Sequence, residues 1–479
     1  MMTLRRLVAA VVVSWLALMN QPILWAEPDD EPAAEAKTKP AKVTPGQSGP
    51  DREKAEQAKA FRAVQRSALG MMKSKKLEQR AEAFTKLKEF PILDCAKLLV
   101  QQGMASPYED VRKDAYATLA SFRDSDEVCK FLLASVEKDS AKGMPSETTC
   151  ALFAVPLSSD DKDIEEKAFQ LFDKAAKRPK GGMLLLVTLA DQLGATGDDA
   201  SIATLFRISK RPVFKEHFGV RRSVVQALNK IEEKSAVDAL VAILANVEGE
   251  VRGDIVQRLT SISGEKLGFD PPAWERWWKA NRETFRFAAA GGRVVNRADV
   301  LVSKSLYYGL PIYAARLVFV IDTSGSMRGP RIEAAKRELT NAINALPEGV
   351  YFNVLAFDRN VRPWQRALTV ASAENKKQAA AWVLFQGLGG ATHSYDALEA
   401  AIDFDTEAVY FLTDGAPSGG KVVGPVDIVE VMSRLNFTRR ITINAIGIGV
   451  GQPLPINPFY VFLTTLAERN YGEYKAVND

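Results

Sequence analysis

The chain has 479 residues, too many for one hydrophobic core and enough for two or three domains. Its 47% apolar and 25% charged residues suit soluble globular domains and exclude a wholly disordered or fibrous chain. The net charge of +4 comes from 63 basic and 59 acidic residues, with Arg5 and Arg6 supplying two of the positive charges. It is too small to point to nucleic acid or a membrane surface as a partner.

Residues 1–26 read as a secretory signal peptide. Arg5 and Arg6 form the charged start, Leu7 to Leu18 an apolar run, and Leu24-Trp25-Ala26 a cleavage site. Asn20, Gln21 and Pro22 interrupt that run before the ~20 residues a spanning helix needs. The expected location is secreted, periplasmic or cell envelope, with membrane contact only through an uncleaved signal. Residues 27–55 are rich in Pro, Ala, Glu, Lys and Gly and nearly lack large apolar side chains, which predicts a disordered linker.

Residues 56–285 read as consecutive helices separated by Asp, Ser, Gly or Pro breaks, with apolar residues three and four apart. A phrase recurs within them: Glu109-Asp110-Val111-Arg112, Gly219-Val220-Arg221-Arg222 and Glu250-Val251-Arg252-Gly253. These phrases resemble HEAT-type helical repeats, a resemblance that implies a stacked solenoid in which an Arg pairs with an Asp of a neighbouring repeat. An irregular helical domain is the alternative. Trp274, Trp277 and Trp278 share one helical face and are expected to close the array as core, rather than to form an aromatic ligand box. Cys95, Cys129 and Cys150 match no metal spacing and read as buried apolar residues, the alternative being one disulfide and a free thiol.

Residues 286–313 read as a connector with one extra strand. From 314 to 479 the pattern changes: Arg316 to Ile321 is a strand apolar on both faces, followed by a helix at Arg331 to Leu346. Strands at Tyr351 to Phe357, Ala408 to Thr413 and Ile441 to Gly447 alternate with helices near Glu374 to Phe385, Tyr395 to Ile402, Val426 to Leu435 and Pro458 to Arg469. The fold class expected is multidomain, an all-α HEAT-like solenoid followed by a doubly wound, Rossmann-like α/β domain.

In such sheets ligands lie beyond the carboxyl ends of the strands, where the strand order reverses. There this sequence places Asp322-Thr323-Ser324-Gly325-Ser326, Gly390-Ala391-Thr392 and Thr413-Asp414-Gly415. Three loops thus offer only oxygen groups, which suits a hard cation such as Mg²⁺ or Mn²⁺ at ~2.1 Å in an octahedron.

The pattern Asp-x-Ser-x-Ser, a later Thr and a later Thr-Asp-Gly resembles the metal-ion-dependent adhesion site of the von Willebrand factor A (VWA) family. The resemblance covers roughly the last third of the chain. It implies Asp322, Ser324, Ser326, Thr392 and Asp414 as metal ligands, with an open position for an Asp or Glu carboxylate of a protein partner. It implies an exported, non-enzymatic binding, adhesion or scaffold protein. Ala391 stands where a glycine is usual, and His393 follows the Thr. A structural scaffold with an idle site and a metal-dependent hydrolase are the alternatives.

No catalytic or cofactor-binding residue is assigned. Gly415 to Lys421 has P-loop spacing, but Val422 replaces the Ser or Thr that would hold Mg²⁺ and Gly424-Pro425 breaks the following helix, so no nucleotide is expected. Only His217 and His393 exist, too few for a histidine zinc site.

Overall fold

The Asp, Ser and Asn residues that interrupt the helical pattern act as helix caps. Asp161, Asp198, Asp270, Ser372 and Asn457 each accept a backbone N–H of the turn that follows, satisfying donors a helix start leaves bare. The computed structural model describes residues 49–142, 146–178, 181–287, 305–449 and 457–478, with the side chains of 49–52 left aside. The signal segment, most of the expected linker, Gly291-Gly292 and Gly451 lie outside these. The linker ends earlier than expected: helix α1 spans Gly49–Met72, because Glu53, Lys54, Ala55 and Glu56 are good helix formers even without a core to cover.

The N-terminal region is helical throughout its described part. It runs through α1, α2 (Leu77–Leu87), α3 (Leu93–Leu98), α4 (Glu109–Ala120), α5 (Asp126–Ala141), α6 (Glu147–Leu152), α7 (Ala154–Leu157), α8 (Lys162–Ala176), α9 (Gly182–Thr196), α10 (Asp199–Ile208), α11 (Pro212–Glu216), α12 (Phe218–Lys230), α13 (Lys234–Leu244), α14 (Gly249–Ser263) and α15 (Pro271–Asn281). One continuous apolar core fills it.

The recurring phrase has a recurring structure. Val111, Val220 and Val251 are buried, and the arginine after each donates to a backbone carbonyl five or six residues upstream: Arg112 to Ser106 at 2.7 Å, Arg221 to Lys215 at 3.0 Å and Arg252 to Val247 at 2.6 Å. These arginines therefore tie down the chain entering their own helix. The Arg–Asp bridges between helices use other positions of the same phrases, Arg80 to Asp110 at 2.6 Å and Arg222 to Asp254 at 2.8 Å.

Trp274 and Trp278 are buried, with indole N–H groups donating to Gly268 O at 2.9 Å and Asp238 Oδ1 at 2.7 Å, so the tryptophan stripe is core. All three cysteines are free and buried, and burial pushes each thiol up to about 12.

A two-residue hairpin, β1 (Leu306–Tyr307) with β2 (Leu310–Pro311), stands where one strand was expected. It seats the Tyr307 ring against Phe319 and Tyr410. The main sheet follows in the order β5-β4-β3-β7-β8-β9, with β6 also on β4. Strands β3 (Arg316–Asp322), β4 (Tyr351–Phe357), β7 (Ala408–Thr413), β8 (Thr442–Ile448) and β9 (Tyr474–Val477) are parallel. Strands β5 (Val361–Pro363) and β6 (Thr369–Val370) are antiparallel edges. Helices α16 (Pro330–Ala345), α17 (Ala373–Phe385), α18 (Ser394–Ile402), α19 (Pro425–Asn436) and α20 (Pro458–Arg469) cover the sheet, and an apolar core lies on each face. Because β3 has β4 on one side and β7 on the other, the topological switch lies at its end.

Ala55–Asp479 forms one compact unit in which the helical region packs on the amino-terminal ends of the strands. Arg222, 2% exposed, donates from Nη1 to Thr442 Oγ1 at 2.7 Å and to Arg440 O at 2.8 Å. Glu407, just before β7, accepts from the N–H of Glu250 at 3.1 Å and of Ala315 at 3.0 Å. Gly249 has φ +62°, and a Cβ there would collide with the Glu407 carboxylate. A side chain at Gly219 would collide with Thr438 O, so only glycine allows this approach. The carboxyl-terminal ends of the strands point away from this junction. Among the described residues no helix is long and apolar enough to cross a membrane.

Candidate functional site

The parallel register sets the level of the site. Ile321 lies beside Leu412 and Asp322 beside Phe357, so Asp322 and Thr413 end adjacent strands at the same height. Asp322 is fully buried, its Oδ1 accepting the Ser324 N–H at 2.7 Å and its Oδ2 accepting the Thr413 hydroxyl at 2.6 Å. The Ser324 and Ser326 hydroxyls are 3.0 Å apart, and Ser326 Oγ donates to Asp414 Oδ1 at 2.7 Å. Asp322, Ser324, Ser326 and Asp414 are therefore linked in one hydrogen-bonded run, through the Ser324 backbone N–H at its first step and through hydroxyls after it, and the run meets solvent at the exposed Ser326.

Thr392 is not hydrogen-bonded into that chain. It comes from a third loop, held by Gly389 N–H to Thr323 O at 2.8 Å before it and His393 N–H to Asp358 O at 3.1 Å after it. Its own N–H donates to Ser418 Oγ at 2.8 Å, and its carbonyl accepts from the Ser418 N–H at 3.0 Å. Ala391 adopts the left-handed conformation, with φ 57°, which accounts for glycine being usual there.

Burial raises the Asp322 carboxyl to about 6, and the Asp414 charge adds to the rise. Two desolvated carboxylates facing hydroxyls make a place where a cation would relieve both strain terms, so the residues present fit a hard divalent ion. Among the described residues no group of three or more His, Cys, Asp or Glu is poised around one point, so such an ion would rest on hydroxyls as much as on carboxylates.

Several residues around the site carry no signal in the sequence pattern. Arg331 Nη1 donates to Asp414 Oδ2 at 2.9 Å. Asp358 directly follows β4, beside the end of β3, and pairs with Arg362 at 2.7 Å, while Arg362 Nη2 donates to Thr323 Oγ1 at 2.8 Å. A strand-end aspartate beside the switch point was the available clue to Asp358; nothing marked Arg331. The segment with P-loop spacing forms no phosphate cradle. Lys421 pairs with Glu399, Ser418 serves Thr392, and the next helix begins only at Pro425. His393 Nδ1 faces Asp396 Oδ2 at 3.7 Å.

The von Willebrand factor type A domain model matches residues 315–476. Inter-alpha-trypsin inhibitor heavy chain H3 of Bos taurus is 29% identical over 184 residues, covering 34% of this chain and 19% of that one. Heavy chain H4 of Homo sapiens is 28% identical over 206 residues, covering 40% and 21%. The chain thus spans about a fifth of the length of the curated relatives it matches. A solved von Willebrand factor type A protein from Catenulispora acidiphila is 22% identical with a TM-score of 0.30, covering 37% of this chain and 40% of that one. The C-terminal α/β domain of this chain is thus von Willebrand factor type A-like, matched by that domain model over residues 315–476, and it follows an N-terminal helical region.

Proposed function

We propose that this is an exported, non-enzymatic binding or scaffold protein whose VWA domain holds Mg²⁺ or Mn²⁺ and captures an Asp or Glu side chain of a protein partner. Asp322, Ser324, Ser326, Thr392 and Asp414 would hold the ion. The observation that carries the reading is the hydrogen-bonded run from Asp322 through Ser324 and Ser326 to Asp414, which gathers two carboxylates and two hydroxyls at the end of the sheet turned away from the helical region. When bound, a divalent ion with only two carboxylates and several neutral hydroxyls around it retains Lewis acidity toward a further carboxylate.

This chain's own residues do the positioning. Thr413 and the Ser324 N–H fix the Asp322 carboxylate, and Ser418 fixes the backbone of Thr392. The helical region, read as HEAT-like repeats, is a rigid base under the opposite end of the sheet and offers a second surface. Among the described residues no histidine is hydrogen-bonded to the oxygen cluster, and His393 Nδ1 lies 3.7 Å from Asp396 Oδ2. The relatives matched over this domain are named as chains of an inhibitor, which accords with binding rather than turnover.

The reading is tested by offering the immobilised full chain acidic peptides and their amide counterparts. Capture that needs both Mg²⁺ and the carboxylate, and is lost in EDTA, supports it. Capture indifferent to EDTA overturns it. A second reading, a structural scaffold with an idle site, draws on Arg331, which already supplies Asp414 with a positive partner; it predicts that EDTA-indifferent result.

A further inference from the structure

Asp414 differs from Asp322 in what neutralises it. Both of its carboxylate oxygens are engaged, Oδ1 by the Ser326 hydroxyl at 2.7 Å and Oδ2 by Arg331 Nη1 at 2.9 Å, and its side chain is fully covered. The Arg331 side chain is 30% exposed, so it forms the solvent-side wall of that carboxylate.

Its place in the chain runs against helix electrostatics. Arg331 is in the first turn of α16, directly after Pro330, where the unpaired N–H groups favour anions over cations. The ion pair with Asp414 offsets that unfavourable position, and the guanidinium becomes a permanent positive charge beside the oxygen cluster.

The charge count gives this a consequence. Asp322 and Asp414 ionised, with Arg331 paired to Asp414, leave the cluster one negative charge before a divalent ion enters and one positive charge after. Without Arg331 the same ion would leave the site neutral. We infer that Arg331 is a built-in counter-cation that trades cation affinity for carboxylate affinity: it weakens Mg²⁺ or Mn²⁺ binding and leaves the loaded site with a surplus positive charge for one acidic side chain. By linkage, cation and carboxylate then reinforce each other's binding. The inference rests on the proposed metal site, and adds to it the residue that makes occupancy depend on the partner.

The test titrates the full-length protein with Mn²⁺ at neutral pH, in chloride and again in acetate as the carboxylate probe. Charge removal at this distance predicts that R331Q binds Mn²⁺ about tenfold more tightly than wild type in chloride. Acetate should then strengthen Mn²⁺ binding in wild type and much less in R331Q. R331K, which keeps the charge, should resemble wild type. If wild type binds Mn²⁺ but R331Q binds it no more tightly, the role of Arg331 is overturned while the metal site stands. If neither binds, both fall. Should R331Q fail to fold, an R331K affinity well away from wild type overturns the charge argument equally.

Discussion

Arg222 Nη1 donates to Thr442 Oγ1 across 2.7 Å, although the two residues are 220 positions apart in the chain. The same guanidinium bridges to Asp254 through Nε at 2.8 Å and lies over the Tyr471 ring at 4.9 Å. One buried side chain thus joins α12 and α14 of the helical region to the first residue of β8. Arg222→Ala takes this partner from the buried Glu250 and the half-buried Asp254, and a broken buried pair costs about 3–5 kcal/mol. Chemical denaturation should show that loss, with faster amide exchange at the start of β8. An unchanged midpoint would contradict the junction described.

Glu407 makes the same junction sensitive to pH. Burial raises its carboxyl to about 7 from an ordinary 4.5, with Glu250 pushing it up further and Arg221 pulling it down. Between those two values the native chain holds a proton that the unfolded chain has released. Its contribution to stability is therefore greatest below about pH 4.5 and declines as pH rises toward 7. Asp322, raised to about 6, slopes the same way, so a comparison of variants isolates Glu407. Glu407→Gln keeps an acceptor for the Glu250 and Ala315 N–H groups but loses the charge. Its melting temperature should exceed that of wild type at pH 8 and converge with it near pH 4.5; parallel curves would count against the assignment.

Ala391 is an alanine with φ 57° in the loop that carries Thr392. Left-handed backbone costs a residue with a Cβ about 1–2 kcal/mol, so Ala391→Gly should stabilise the protein by up to ~1 kcal/mol after the entropy of the freer chain is counted. Ala391→Val should destabilise it by more. Thermal denaturation of the pair checks the order, and a destabilised glycine variant would argue against strain at this position.

Cys95, Cys129 and Cys150 are buried with thiols raised to about 12. A thiolate-selective reagent should label none of them in the native protein and all three in denaturant. Rapid native labelling of any one would show that the helical core opens locally.

Much of the α/β portion was legible because its signals are local. Arg316 to Ile321 is a contiguous apolar run, and the Asp322, Ser324 and Ser326 spacing follows it directly. The stripe of Trp274 and Trp278 was legible for the same reason. Strands β5, β6 and β9 were not, since two to four residues on a sheet edge carry no period to detect. The junction was invisible for another reason: Arg222, Glu250 and Glu407 look like surface charges, and only the tertiary arrangement buries them together. Arg331 falls between these cases, in the first turn of a helix that was legible, with its partner Asp414 supplied by a distant loop. The recurring phrase was legible, but which of its residues bridge helices was not: Arg222 pairs with Asp254 and Asp110 with Arg80, whereas Arg112, Arg221 and Arg252 turn back onto their own loops.

The central claim is that oxygens from three loops gather around one divalent ion. Isothermal titration of the full-length protein with Mn²⁺, beside the near-isosteric Asp322→Asn, tests it most directly. The account predicts one saturable site in wild type, displaced by Mg²⁺ and abolished in a folded Asp322→Asn protein. Absence of saturable heat in wild type, or equal binding in the two proteins, would contradict it.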